Sequence, residues 1–363
     1  MILRVSPTNY QLVFYTIFNM KNIFFLFIVI SLIACSKAIL GEDEPNTQIN
    51  NFELFWNDFN EHYSLFTVRS TDWDAVYDTY RPQVTNDISD DELWVIFSNM
   101  IEELDDSHIN LQNGNGRSYT SGDALSKQSE LEISEELILN KYVDNTTIVT
   151  SESELIYGKI KDKNIGYIYL GSMNGENPAI IDDIVIELNT FDAIILDIRQ
   201  NTGGEDRYSA RIAQAFSDRE QFVYTVQTRN GKNHDDFDEI TEHFTQINEG
   251  FSYLKPVIVL TDKKTISAGE IFLSHMKAFD HVTQIGDTTA GDFSVVSNAR
   301  FLPNNWFYFY SIQKFLLPNG ESLDGIGHIP DIISKNTEKT IANQEDVVIE
   351  TALAYLYNEF KIQ

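Results

Sequence analysis

Phe52, Phe55, Trp56, Phe59 and Tyr63 recur three or four positions apart, and Trp73, Val76, Tyr77 and Tyr80 repeat the pattern before Pro82 interrupts it. Apolar residues at that spacing share one face of a helix, so two amphipathic helices are predicted. A third is announced by Ser89 and Glu92, a capping-box pair, ahead of one apolar stripe through Leu93, Ile96, Phe97, Met100, Ile101 and Leu104. Three such helices joined by short links pack as a small bundle, with the stripes as its core.

Beyond the bundle the period changes. A polar stretch rich in Ser, Gly and Asn up to about Lys127 reads as loop, and short alternating segments between Glu130 and Ile160 suggest strands. Strand and helix then alternate: strand Ile165 to Leu170, helix Pro178 to Asn189, apolar strand Ala193 to Ile198, helix Glu205 to about Phe216, strand from Val257, and a helix from Ser267. This order predicts a layered α/β domain. Val257 to Leu260 is uniformly apolar, as a strand covered on both faces must be. Arg300 to Ser311 reads as a hairpin around Leu302-Pro303-Asn304-Asn305, Leu317 to Gly320 as a turn, and Asn343 with Asp346 as the cap of a last amphipathic helix.

Composition narrows the function. The 363 residues carry a formal charge of −29, which argues against a nucleic-acid partner, since phosphate binding needs the Lys and Arg that are lacking. From Met20, a lysine, the apolar run Ile23 to Ala34 and the single cysteine, Cys35, form a signal-peptide pattern. The run is short for a membrane span, and Leu32-Ile33-Ala34-Cys35 resembles the lipobox of bacterial lipoproteins. The expected organisation is a signal over 1–34 with the true start at Met20, a lipid anchor and polar tether over 35–50, a helical domain over 51–106, and a second domain over 107–363. The expected location is extracytoplasmic, in a bacterial envelope, on the outer membrane where one exists.

Candidate chemistry centres on Pro256 to Phe272, where a buried strand leads through a polar turn to Ser267. A serine at a helix N-terminus finds unpaired backbone N–H groups and the positive end of the dipole, as a nucleophile with an oxyanion site requires. Ser267 with Glu270 also satisfies a plain capping box, and Thr265 breaks the G-x-S-x-G elbow pattern, so this stretch alone leaves both readings open. Asn201-Thr202-Gly203-Gly204 is likewise either a tight turn or a backbone donor loop, with Asp197 and Arg199 positioning it. The acidic run His234 to Glu239 matches no metal-binding spacing and reads as a solvated loop.

Four segments, D-S-H-I-N-L from Asp106, L-D-I-R-Q-N-T-G-G from Leu196, T-I-S-A-G-E from Thr265 and D-G-I-G-H-I-P-D-I from Asp324, in this order and with G-D-T-T-A-G at Gly286, resemble the tail-specific or C-terminal-processing serine peptidases. The resemblance spans about Phe52 to Ile332. It implies an α/β (α+β) chain with a crotonase-like or ClpP-like core behind a small helical bundle, needing no metal or other cofactor. Family members with a Ser-Lys dyad place a lysine where this chain has Asp292, so the resemblance is to the tricorn-type branch. There it implies Ser267 as nucleophile, His108 as general base, Ser107 and Asp324 as the relay behind it, and an oxyanion hole from Ala268 with Gly203 or Gly204. The family usually has Glu in place of Asp324, and His328 is kept as an alternative base. About fifty residues separate His108 from Ile160, too few for the PDZ domain that commonly selects substrate C-termini. The expected substrates are peptides or unfolded proteins. Two other readings are a binding lipoprotein that holds an apolar ligand or peptide on the same scaffold, and a structural surface lipoprotein with an inert core.

Overall fold

The aromatic periodicity at the start of the chain becomes four helices. The computed structural model describes residues 44–122, 133–150 and 154–363, so the signal pattern and Cys35 lie outside the described residues. The helices are α1 (Gln48–His62), α2 (Phe66–Arg69), α3 (Trp73–Tyr80), α4 (Asp90–Glu102), α5 (Glu135–Leu137), α6 (Ile180–Glu187), α7 (Asp206–Gln214), α8 (Ala268–Met276), α9 (Glu338–Ala342) and α10 (Val347–Phe360). The strands are β1 (Asn110–Gln112), β2 (Ser118–Thr120), β3 (Val143–Thr150), β4 (Leu155–Ile160), β5 (Ile165–Leu170), β6 (Ala193–Asp197), β7 (Phe222–Thr228), β8 (Thr241–Phe244), β9 (Val257–Thr261), β10 (Val282–Gly286), β11 (Arg300–Phe301), β12 (Phe307–Phe309), β13 (Gln313–Leu316) and β14 (Ile332–Ile333).

Both arms of the Ser89–Glu92 capping box form at the start of α4, and Asp72 caps α3 by accepting from Ala75 N–H. The stripes of α1 and α4 meet in a buried aromatic core, with Phe55 stacked on Phe97 at a centroid distance of 4.0 Å. That core is completed from far along the chain by Leu302, Trp306, Tyr308 and Tyr310. The hydroxyls of Tyr308 and Tyr310 both donate to Asp58 Oδ2 at 3.0 Å, which fixes the hairpin to α1.

The main sheet has seven strands in the order β14-β10-β9-β6-β5-β4-β3. It is parallel from β14 to β5 and antiparallel at β4 and β3. Every residue of β6 and β9 is buried, because helices cover both faces. Ile184, Ile212 and Phe272 pack on one side, and Val348, Ile349 and Leu356 on the other. This is the α/β core that the alternation predicts. Among the described residues no helix is long and apolar enough to cross a membrane.

Two local expectations are corrected and one sheet is added. The polar stretch after Leu111, expected as loop, carries β2, which with β1 joins β12 and β11 in a four-stranded antiparallel sheet. Strands of three residues are too short to show alternation; β2 pairs with β1, and β1 in turn with remote β12. The segments β7 and β8, with β13, form a third sheet that periodicity does not announce. Asp346 alone caps α10, accepting from Val348 and Ile349 N–H, whereas Asn343 closes α9.

Candidate active site

Strands β6 and β9 are parallel neighbours in register, Ile194 beside Val257 through Asp197 beside Leu260, so their following loops emerge together at the carboxyl edge of the sheet. The loop after β6 holds Asn201 to Gly204, and the turn after β9 holds Ser267. Behind them Arg199 is buried against both Asp197, at 2.6 Å, and Asp346, at 3.0 Å, which ties the end of β6 to the start of α10.

Ser267 has φ 57° and ψ −124°, a region that costs a non-glycine residue on the order of 1–3 kcal/mol. Its N–H is shared between the carbonyl of Asp292, at 3.1 Å, and the carboxylate of Glu270, at 3.2 Å. Glu270 is fully buried and also accepts from Thr289 Oγ1 and from the N–H groups of Gly291 and Asp292. Burial pushes its pKa up to about 7, against those hydrogen bonds. One side chain thus locks residues 289–292 to the serine turn.

His108 follows α4 and immediately precedes β1, so the pairing of β1 with β12 fixes its approach. Its Nε2 lies 3.3 Å from Ser267 Oγ, across 159 positions of sequence. Asp106 Oδ1 accepts the backbone N–H of His108 at 3.0 Å and lies 3.7 Å from its Nδ1. Nδ1 is buried with no hydrogen-bond partner among the described residues.

Ser107 and Asp324 are brought to the same region, but their hydrogen bonds go elsewhere than to His108. Ser107 Oγ donates to Asp292 Oδ2. Arg69 Nη2 reaches Asp292 Oδ1 at 2.7 Å, Asp324 Oδ1 at 3.0 Å and the carbonyl of Gly291 at 3.3 Å, while Nη1 donates to the Asp105 carbonyl. The physical reason is the guanidinium: a buried cation draws the carboxylates of Asp292 and Asp324 to itself, and Asp292 in turn accepts from Ser107. Burial opposes Arg69's charge, but Asp106, Tyr63, Asp324 and Asp292 outweigh it and hold the group protonated. Burial pushes Asp324 well above the usual carboxylate range even with Arg69 beside it, and Asp292 is raised by burial and then by Asp106. Arg69, Asp106 and the active contacts of Asp292 were not anticipated from sequence. In the sequence Asp106 is one residue of a motif, and Asp292 registers only as the absence of a lysine.

Asp106, His108 and Asp292 place ligand atoms within 4.8 Å of one another. Arg69 already supplies the cation next to Asp292, which disfavours a second one there.

Gly203 N–H donates to Asn201 Oδ1 at 3.0 Å and is therefore spent. The N–H groups of Gly204 and Ala268 have no acceptor among the described residues. Gly203 has φ 78°, and a Cβ there would lie 2.8 Å from Ser267 Cβ, so no side chain fits beside the serine. His328 is not brought to Ser267. It is buried beneath α8, with Nε2 2.9 Å from Ser274 Oγ and 3.1 Å from the Glu270 carbonyl, and burial pushes its pKa down to about 3.

A serine in a constrained turn, an imidazole at hydrogen-bond reach and two open backbone N–H groups on a parallel-sheet edge describe the class of serine hydrolases. Residues 164–334 match peptidase family S41 and residues 48–102 match the tricorn protease C1 domain. It is 26% identical over 181 residues to the carboxy-terminal processing protease CtpA of Bacillus subtilis, a match covering 49% of this chain and 37% of that one. A carboxyl-terminal-processing protease of Picosynechococcus is also 26% identical over 181 residues, covering 48% of this chain and 41% of the relative. The chain thus spans about two fifths of the curated relatives it matches. Among solved structures, a candidate peptidase from Parabacteroides merdae shares 28% identity with a TM-score of 0.78, covering 86% of this chain and 97% of that one. Mature CPAF complexed with lactacystin has the same fold at 11% identity, with a TM-score of 0.64 and coverage of 86% and 98%.

Proposed function

We propose that the protein is a serine endopeptidase of extracytoplasmic peptides or unfolded proteins, with Ser267 as nucleophile and His108 as general base. The observation that carries this reading is the 3.3 Å approach of His108 Nε2 to Ser267 Oγ, a distance that shortens in catalytic sites when substrate binds. His108 Nε2 takes the Oγ proton as Oγ attacks the substrate carbonyl, and the N–H groups of Ala268 and Gly204 receive the oxyanion. The imidazolium then protonates the leaving amine, leaving an acyl-serine. A water molecule, deprotonated by His108, hydrolyses that ester and restores the hydroxyl.

The group behind the imidazole is assigned as Asp106, whose carboxylate is the acid near Nδ1. From 3.7 Å its negative charge favours the Nδ1–H tautomer and stabilises the imidazolium. Ser107 and Asp324 act through Asp292 and Arg69, holding the loop that carries His108 against the serine turn. The binding-protein alternative lacks a comparable observation, since an imidazole is not needed beside Ser267 to hold an apolar ligand.

The test is labelling with a fluorophosphonate probe and casein turnover, beside Ser267→Ala and His108→Ala. Loss of both signals in both variants supports the assignment, and a folded wild type that takes no label overturns it. We also propose attachment to the envelope through a lipid on Cys35, supported by the lipobox-like Leu32 to Cys35. Incorporation of labelled palmitate in wild type but not in Cys35→Ser tests it.

A further inference from the structure

A groove of about 520 Å³ lies between α7 and the β7–β8 pair, with His275 of α8 in its lining. Asp206, its first residue along α7, is two positions after Gly204 and close enough to His108 to feel its charge. The two helices that frame the site pack together there, Ser209 Oγ donating to the Ala268 carbonyl at 2.6 Å. From Asp206 to Gln214 the wall follows α7 for about 12 Å, the length of three or four extended residues.

The groove's uncommitted charge is negative. Asp206, Glu220 and Glu242 all line it, and none has a side-chain hydrogen bond or ion pair among the described residues. Of its two arginines, Arg211 is held by Asp182, Nη1 to Oδ1 at 3.2 Å, leaving Arg207 against three carboxylates. Burial, then Glu205, pushes Asp206 up to about 6, the signature of an anion that lacks a counter-charge. The second polar feature is His275. It is 2% exposed, yet its Nε2 has no partner, and burial holds its pKa down at about 4, so it is uncharged at neutral pH. Tyr224, edge-on to His275 at 5.6 Å and stacked on His243 at 4.6 Å, adds aromatic surface.

We propose that this groove is a substrate subsite for a lysine or arginine side chain near the scissile bond, recognised by the Asp206 carboxylate. The inference rests on the peptidase reading and adds the substrate class. A cationic side chain fits both halves of the surface: its aliphatic stem lies on Tyr224 and Ala210, and its head meets Asp206 with Glu220 and Glu242 beyond. An apolar side chain would leave the Asp206 carboxylate desolvated without a partner, and an acidic one would add to the repulsion.

The test has two arms on the full chain. The first is digestion of a mixed peptide library read by mass spectrometry, with wild type and Asp206→Asn. Cleavage within two residues of Lys or Arg is expected, and the variant should lose about ten- to a hundred-fold more in kcat/KM for those peptides than for others, the size of one charged hydrogen bond. Enrichment of apolar or acidic residues instead, or an unchanged preference in Asp206→Asn, overturns the proposal. The second arm is titration of Ser267→Ala with argininamide and leucinamide by calorimetry. Binding of argininamide alone, abolished by adding Asp206→Asn, supports the subsite. Equal binding of both, or of neither, overturns it. If the wild type cleaves nothing, the peptidase reading fails, and the titration still decides the groove.

Discussion

Arg69 Nη2 lies 2.7 Å from Asp292 Oδ1, joining residues 223 positions apart. Arg69 belongs to a single helical turn in the N-terminal segment, and Asp292 presents its carbonyl to Ser267 N–H at 3.1 Å. The N-terminal helices are thereby wired to the serine turn through one buried ion pair.

Replacing Arg69 tests that link. Arg69→Ala leaves Asp292 and Asp324 buried without their cation, and breaking a buried pair costs roughly 3–5 kcal/mol. The expected outcome is a clear fall in the denaturant midpoint. Arg69→Lys, which keeps the charge but not the fork, should retain most of the stability and lose about ten-fold or more in kcat. A denaturant curve beside casein turnover separates the two effects, and a Lys variant with full turnover would count against the wiring.

The carboxylate behind His108 is decided by comparing Asp106→Asn with Asp324→Asn. Asp106 is the acid near Nδ1, at 3.7 Å, whereas Asp324 Oδ1 faces Arg69. Asp106→Asn should therefore lower kcat by about a thousand-fold or more, by the logic of a lost imidazole-orienting acid. Asp324→Asn should lower it much less. The reverse ranking in steady-state kinetics would return the role to Asp324.

Gly203→Ala should nearly abolish turnover with limited loss of stability. Alanine at φ 78° is strained by about 1 kcal/mol, and its Cβ would press on Ser267 Cβ. Displacing the nucleophile by even a few tenths of an ångström costs attack geometry. Slow fluorophosphonate labelling in a variant that still folds, with melting lowered by a few degrees, is the expected observation.

The acid side of the stability profile should depend on His328. Its folded pKa of about 3 lies below the ordinary histidine value of 6.5, so between those values the unfolded chain binds the proton and the folded protein does not. Stability from this group is full above pH 6.5 and is lost as pH falls toward 3, on the order of 4–5 kcal/mol in all. His328→Gln should flatten the decline in melting temperature between pH 6 and pH 4. An identical slope in wild type and variant would show that the imidazole titrates freely. Glu270, raised to about 7, acts in the opposite sense between pH 4.5 and 7, so the difference between variants is the quantity to compare.

The sequence by itself determined the elements whose burial is local and periodic. The stripes of α1, α3 and α4, the uniformly apolar β6 and β9, and the position of Ser267 at a helix start all follow from side-chain spacing, because one face of a helix or both faces of a covered strand must be apolar. The motif order also singled out Ser267, His108 and the glycines at 203 and 204. Tertiary structure alone decided how these meet. That Gly203 N–H is consumed by Asn201 while Gly204 N–H stays open depends on one loop conformation. That Ser107 and Asp324 turn to Asp292 and Arg69 depends on where a single-turn helix delivers a guanidinium. Electrostatic pairing in a buried site is set by which charges are nearest in space, and a spacing of 159 or 223 residues carries no record of that distance.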